Sequence, residues 1–366
     1  MTTSYDITLL GGGIIGLLTA RELNKTGFCV TVIDKNDMGT ESSWAGGGIL
    51  LPLYPWRQSA AISHLVIESL SLYPTLASEL LSESGISPEL NPCGLLITQN
   101  PDITSAISWC NRHKVAFKDS QVSIPEGLAP QPDHPLWLPD IANIRNPRLI
   151  KSLKKDLLQR GVKLLDHCEI NEIHLNNNRI TSIDTSRGVF TVNQLVLTTG
   201  AWTPGLLNRL FPKLRQPGPE ISPVKGQMLL FKAMPETLPS IVLEGDQYLI
   251  PRLDGHILAG STVEDSTFDK TTTADAKYQI SEFAYRLLPA LKKYPLVNHW
   301  SGIRPGSPNG IPYIDKHPEI ENLFINAGHF RNGLAMAPAS ARLMADLILD
   351  RPTSVDPEPY RLDRLG

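Results

Sequence analysis

The chain has 366 residues, 41% of them hydrophobic and 19% charged, with Lys+Arg 34 against Asp+Glu 37. This composition excludes a wholly disordered or fibrous chain, and a net charge of −3 leaves no electrostatic footprint for nucleic acid or an anionic membrane surface. The length suggests two domains or one large interleaved unit.

Residues 1–6 carry no basic residue ahead of the first apolar run, so a secretory signal is not expected. No run approaches the ~18 apolar residues that a membrane span needs, and a cytoplasmic protein is expected. Residues 7–10 read as a buried strand. Gly11-Gly12-Gly13-Ile14-Ile15-Gly16 follows at once, and Ile14, Leu17, Leu18, Arg21 and Glu22 keep a helical period, with the polar residues arriving on one side. Gly27 lies just past that helix, where a left-handed cap is wanted. Residues 29–33 form a second buried strand that ends at Asp34, which completes a β-α-β unit.

Residues 60–84 predict a long helix, broken or kinked at Pro74. Residues 92–140 are Pro-rich and irregular, with a short strand at 94–98. Residues 147–160 predict a helix with Asn146 as N-cap and Pro147 in its first position. Short strands follow at 163–165, 169–175, 179–185, 189–192 and 195–198, and Asn176-Asn177-Asn178 reads as a hairpin turn. Beyond a Pro/Gly-rich connection at 211–224, strands are expected at 226–231, 241–244, 247–251 and 256–260, then a helix at 274–291. The chain closes with a strand at 323–326, a loop through Gly333 and a helix at 334–349. No internal repeat is present. Cys29, Cys93, Cys110 and Cys168 form no CxxC pair, so they imply neither a disulfide framework nor a metal site; buried or half-buried thiols are expected.

Three segments carry chemistry. In the first, Gly11 permits a tight turn, Gly13 lets a pyrophosphate reach backbone N–H groups, and Gly16 lets the helix pack close on the strand. The helix N-terminus favours the phosphate charge, and Asp34 can accept a hydrogen bond from a ribose hydroxyl. Together they predict dinucleotide binding, with the choice between NAD and FAD left open. The Gly-rich Ser42-Ser43-Trp44-Ala45-Gly46-Gly47-Gly48-Ile49-Leu50 suits a flat ring lying against backbone, and the strand ending at Gly200 can bring more backbone to the same ligand. The third segment spans residues 300–312, rigid and turn-rich with Arg304 in it, and Gly328-His329-Phe330-Arg331-Asn332-Gly333 at the head of the last helix. Arg304 and Arg331 each offer a planar fork for a carboxylate, with a structural ion pair as the alternative; His329 suits either a structural role or a place beside a flavin.

With these segments the chain resembles the glycine oxidase branch of the D-amino-acid oxidase family of FAD-dependent oxidoreductases. The resemblance also rests on Tyr248-Leu249-Ile250-Pro251-Arg252 and Gly260-Ser261-Thr262, and covers nearly the whole chain. It implies an α/β fold: a Rossmann-like FAD-binding domain with an inserted α+β substrate domain on a mostly antiparallel sheet. The expected FAD-binding domain is discontinuous, over 1–60, 141–222 and 300–366, and the substrate domain covers 61–140 and 223–299.

The resemblance further implies that Arg304 grips a substrate carboxylate, assisted by Tyr248, with Arg331 at the same end. Ile14, Ile15, Asp34, Lys35, Ser42, Ser43, Gly47, Gly48 and Ile49 fall where the family lines FAD, and Ile170 falls near the adenine. His329, Phe330, Arg331, Asn332, Gly333, Leu334 and Ala335 fall where the last loop cradles the isoalloxazine. Relatives that tether the flavin use a cysteine where Gly302 stands here, so non-covalent FAD is expected. Asp34 stands where a relative carries Glu, and Trp44 interrupts a stretch usually built of small residues. Residues 51–58 and 264–268, which border the expected pocket, also differ from the family pattern and leave the substrate side chain open. The implied reaction is oxidation of glycine, sarcosine or a D-amino acid by hydride transfer to flavin N5, with O2 as acceptor and hydrogen peroxide as product. In the glycine oxidase branch, that reaction includes a role in thiamine biosynthesis. No side chain stands out as acid or base. A dehydrogenase with another acceptor, and a flavin-bearing tRNA-modification or partner-binding module, remain as alternatives, and monomer and homo-oligomer are both open.

Overall fold

A computed structural model of the chain describes residues 6–100, 102–214, 218–265 and 267–364. Residues 1–5 of the N-terminal stretch, Pro101, 215–217 of the Pro/Gly-rich connection, Ser266 and the two final residues lie outside the described residues.

The β-α-β unit at the start of the chain seeds a six-stranded sheet. Asp6–Leu10 pairs in parallel with Cys29–Ile33 on one side and Gln194–Leu197 on the other. Lys163–Leu165 extends one flank, and Leu323–Ala327 with antiparallel Tyr313–Lys316 extends the other. The inner strands are near-continuous apolar runs because both faces are covered. Ile7 and Leu9 enter a core with helices Ile14–Lys25, Ala60–Ser84 and Gly333–Ile348, while Leu10, Leu195 and Leu197 face a smaller core under the sheet Ile170–Asn176, Arg179–Thr185 and Gly188–Thr191. The hairpin in that sheet turns at Asn177 and Asn178, with φ of 47° and 59°, the left-handed pair that an Asn-rich two-residue turn supplies.

The other large sheet has eight strands. Ser222–Lys232 is its spine, paired with His256–Gly260 and the short Glu264–Asp265 on one edge and with Leu296–Gly306 on the other. Gln247–Pro251, Ile241–Glu244, Leu95–Ile97 and Leu136–Leu138 continue it. Together the two sheets give the expected α/β architecture. The expected domain boundaries at 222/223 and 299/300 fall inside the strands Ser222–Lys232 and Leu296–Gly306.

Several local expectations are corrected. The stretch from Trp300 to Gly306 is strand rather than turn: Pro305 faces Pro223 across the ladder, and a Pro–Pro pair fits where neither N–H is needed by the other strand. Arg21 is buried rather than on a polar face; its guanidinium bonds Asp156 at 2.8 Å and Glu79 at 2.9 Å, tying three helices together. Asn146 is the first residue of helix Asn146–Gln159, not its cap, because its side chain is engaged elsewhere. The helix from Ala274 stops at Leu287, and Pro289 opens a separate 3-10 turn. Helices Ile103–His113 and Thr203–Leu210 went unread, as did the short Ser42–Ala45. The last helix starts at Gly333. All four cysteines are free, but Cys29 is exposed. Among the described residues no helix is long and apolar enough to cross a membrane, and no cluster of His, Cys, Asp or Glu could hold a metal ion.

Candidate active site

One cavity of about 800 Å³ is lined from both large sheets, within the size range of small-molecule sites. At one end is the glycine turn. Gly11 has φ +105°, and a Cβ there would stand 2.5 Å from Thr198 O, so only glycine fits. Gly13 faces the cavity, with Ser43 Oγ 3.2 Å from where its Cβ would be. Gly16 does not line the cavity; a Cβ on it would strike Gly11 O, so it serves the close approach of helix to turn. Ile14 and Ile15 line the floor, and Ile14 N donates to Ser43 Oγ at 2.8 Å. The Asp34 carboxylate accepts from Gly12 N at 2.7 Å and Asn36 N at 2.9 Å, and burial raises its pKa despite those bonds. Gly13 caps the first helix without a side chain, leaving the positive end of the helix toward the cavity.

The Gly-rich loop forms one wall. Ser42, Ser43, Gly47, Gly48 and Ile49 all line it. Ser42 Oγ donates to Ile303 O at 2.5 Å, and Asn146 Nδ2 donates to Ser43 O at 2.8 Å. The loop is fastened to the second sheet by Arg252, whose guanidinium donates to Gly47 O, Ile144 O and Asn143 Oδ1 at 2.8, 3.0 and 2.6 Å. Full burial pushes that guanidinium down to about 10. Farther along, Lys35, Ile170 and Gly200 line the cavity beside Trp202. Lys35 Nζ lies 5.0 Å from the Trp202 ring, which stacks on Phe268 at 5.1 Å.

At the other end stands Arg304, placed on strand Leu296–Gly306. Its Nη1 donates to Lys225 O at 3.2 Å and Thr262 O at 3.0 Å, and its Nη2 donates to Ser261 Oγ at 2.8 Å. These acceptors are neutral, so the charge has no carboxylate bonded to it among the described residues. Burial, and then Arg331, lower the guanidinium below its ordinary value, while Tyr248 and Glu264 work the other way. Tyr248, on Gln247–Pro251, lies beside it. Arg331 reaches Asp246 at 3.5 Å through Nη1, while its Nη2 is buried without a partner among the described residues.

The loop before the last helix closes this end. His329, Phe330, Arg331, Asn332, Gly333 and Leu334 line the cavity, whereas Ala335 is buried in the core behind it. His329 is 2% exposed, its Nε2 has no partner among the described residues, and burial pushes its pKa down to about 3, so it is neutral. The helix Gly333–Ile348 has no side-chain cap. Its Pro338 cannot bond back to Leu334 O; the Tyr73 hydroxyl donates there instead, at 2.5 Å.

The cavity thus gathers all the expected site residues except Gly16 and Ala335. Reasoning from sequence missed Gly226, where a Cβ would collide with Nη1, Nη2 and Cζ of Arg304. Its signal was a glycine inside a strand, which marks a close approach. Ser261, Thr262 and Asn146 were missed as well, as was Asp246 near the Arg331 end, whereas Tyr54 belongs to the stretch 51–58 expected at the border of the pocket.

A profile of the family described as "FAD dependent oxidoreductase" matches residues 6–347. The glycine oxidase of Pseudomonas putida is 44% identical over 99% of this chain and 100% of its own length. Among solved structures, glycine oxidase from Geobacillus kaustophilus superposes with TM-score 0.91 at 27% identity, covering 99% of both chains. L-proline dehydrogenase from P. horikoshii gives 0.87 at 25% identity over 98% of both chains. With its glycine turn, the Asp34 carboxylate beside it and a cavity lined from both large sheets, the chain belongs to the family of FAD-dependent oxidoreductases.

Proposed function

We propose that the chain oxidises a small amino acid or secondary amine of the glycine, sarcosine or D-amino-acid type at its α-carbon. The products are an imine that water hydrolyses to a 2-oxo acid with ammonia or an amine, and hydrogen peroxide from O2. The observation that carries this reading is Arg304: a half-buried cation, bonded only to neutral oxygens, facing a cavity that suits a flavin. A partly desolvated charge without its counter-ion is costly, and a substrate carboxylate supplies one. The 44% identity to a glycine oxidase supports the same class of substrate.

The residues present fit FAD. The glycine turn leaves open backbone where a pyrophosphate would lie, Asp34 suits the ribose, and Asn146 Oδ1 and His329 Nε2 are buried polar atoms without partners among the described residues. Residues 329–334 would hold the ring system. We place the cofactor non-covalently, since Gly302 packs against Ala45 and no cysteine follows Cys168. When bound, FAD supplies the hydride acceptor and passes the electrons to oxygen.

The chain's own part is orientation and electrostatics. Arg304 takes the carboxylate in its planar fork, and the Tyr248 hydroxyl steadies it, which fixes the direction of the Cα–H bond. Leu51, Leu53 and Tyr54 line the cavity with apolar surface that disfavours water. No carboxylate or neutral histidine is required as a base, since an amine bound neutral releases hydride without one.

The test is anaerobic mixing of the flavoprotein with glycine, sarcosine, D-amino acids and proline-type imino acids, following flavin bleaching, then readmitting air and assaying peroxide. Bleaching with peroxide release is expected. Bleaching without peroxide would favour a dehydrogenase, and no bleaching by any of them would favour a binding module.

A further inference from the structure

Two of the three acceptors that hold Arg304 belong to Ser261 and Thr262. These residues lie where the sheet ladder lapses. Strand His256–Gly260 pairs with the spine as far as Met228↔Gly260, and pairing resumes only at Lys225↔Glu264. The intervening segment is tied to the spine by Thr262, whose N donates to Gln227 O at 3.4 Å and whose hydroxyl adds further bonds. Thr262 Oγ1 accepts from Gln227 N at 2.9 Å and donates to Glu264 Oε1 at 2.5 Å. Glu264 is fixed in turn by Gln227 Nε2 at 2.8 Å and by Lys225 Nζ at 3.2 Å. Gln227 is fully buried; its Nε2 also reaches Thr273 Oγ1 at 3.1 Å, and its Oε1 accepts from Thr273 N at 2.9 Å and His299 Nε2 at 3.0 Å. Both polar atoms of its side chain are therefore satisfied, and such a network holds one geometry.

None of these side chains takes part in the reaction proposed above. The network terminates on two of the three groups that orient the Arg304 fork: Thr262 O and, on the neighbouring residue, Ser261 Oγ. We propose that Thr262 Oγ1, locked by Glu264 and Gln227, is a positioning device that sets the angle at which Arg304 meets a substrate carboxylate. Thr262 and Glu264 are thus positioning residues for carboxylate affinity. This rests on the reading that Arg304 binds the carboxylate.

The experiment compares wild type, Thr262→Val, Thr262→Ser, Glu264→Gln and Arg304→Ala as FAD-loaded proteins. Acetate is titrated while the flavin absorbance is followed, and KM and kcat are measured with glycine. Losing a charge-assisted hydrogen bond should weaken acetate binding and raise KM on the order of tenfold in Thr262→Val, with kcat falling by less. Serine, which keeps the hydroxyl, should restore the affinity. Glu264→Gln should shift affinity in the same direction by less, and carries the test if the valine variant does not fold. Wild-type acetate affinity in both Thr262→Val and Glu264→Gln overturns the inference. So does an equal fall in kcat and affinity that serine does not rescue, which marks a merely structural role. If Arg304→Ala itself keeps acetate affinity, the carboxylate reading fails; if it loses acetate while the other variants keep it, only the positioning role fails.

Discussion

Gly226→Ala tests the Arg304 site with a single methyl group. An ideal Cβ at 226 would fall more than about 1 Å inside ordinary van der Waals contact with Nη1, Nη2 and Cζ of Arg304. The atoms displaced are the end of a long side chain, not backbone, so the strand Ser222–Lys232 keeps its ladder and the fold survives. The guanidinium has to move by roughly that amount, which breaks its bonds to Lys225 O, Thr262 O and Ser261 Oγ. Misplacing a binding group by about 1 Å costs on the order of 10²-fold in rate. Gly226→Ala is therefore expected to load FAD and melt near wild type, yet lose about 10²-fold in kcat/KM toward glycine. Steady-state kinetics beside a thermal melt and a flavin spectrum measure this. A folded, flavin-loaded variant with kcat/KM within about threefold of wild type would refute the reasoning, since the methyl would then have found room without moving Arg304.

Arg304→Ala should lose about 10²–10³-fold in kcat/KM for carboxylate substrates, and Arg304→Lys should recover only part, because an ammonium cannot make the fork; a near-normal alanine variant would shift the carboxylate toward Arg331. Gly13 has φ −72°, so Gly13→Val leaves the backbone relaxed while filling the cradle, and the purified variant should be colourless; bound flavin in normal yield would contradict the cradle. The His329 imidazole is held at about 3 in the fold against 6.5 when free. Its stabilising contribution is complete above 6.5 and is lost as pH falls toward 3, by about 2 kcal/mol at pH 5. Melting temperature should therefore fall more steeply between pH 7 and pH 5 in wild type than in His329→Gln, and equal slopes would show that His329 protonates freely.

What could be read in advance follows the range of the forces involved. The β-α-β unit was legible because its glycines answer demands made within a few residues: a positive φ at Gly11, and a helix pressed against its own turn at Gly16. The strands Ile241–Glu244, Gln247–Pro251 and His256–Gly260 were legible from short apolar runs between turn residues. Arg304 and Arg331 stood out as forks for a carboxylate from their Pro- and Gly-rich surroundings, whereas Tyr248 and the division of roles among the three came from likeness to a family. Long-range partners stayed hidden. Asn146 looks like a cap until Ser43 O is folded against it, and Arg21 looks solvated until Asp156 arrives from a distant helix. Pro305 between Arg304 and Gly306 suggests a loop until Pro223 is set opposite it. Gly226 carries no hint of an arginine, since their closeness depends on the register of two strands far apart in the chain.

The cavity's walls come from both sheets, with lining residues from Leu10 to Leu334, so a flavin filling it would bridge the two halves of the fold. A ligand that binds only the native chain deepens the native basin by about 2.7 kcal/mol when present at 100 times its dissociation constant, which lowers the unfolded fraction about a hundredfold. The flavin-loaded chain is therefore expected to survive proteases longer than the flavin-free chain. Limited proteolysis with and without added FAD would read that coupling directly. Cells short of flavin would lose the polypeptide itself, and its abundance would serve as a gauge of the vitamin.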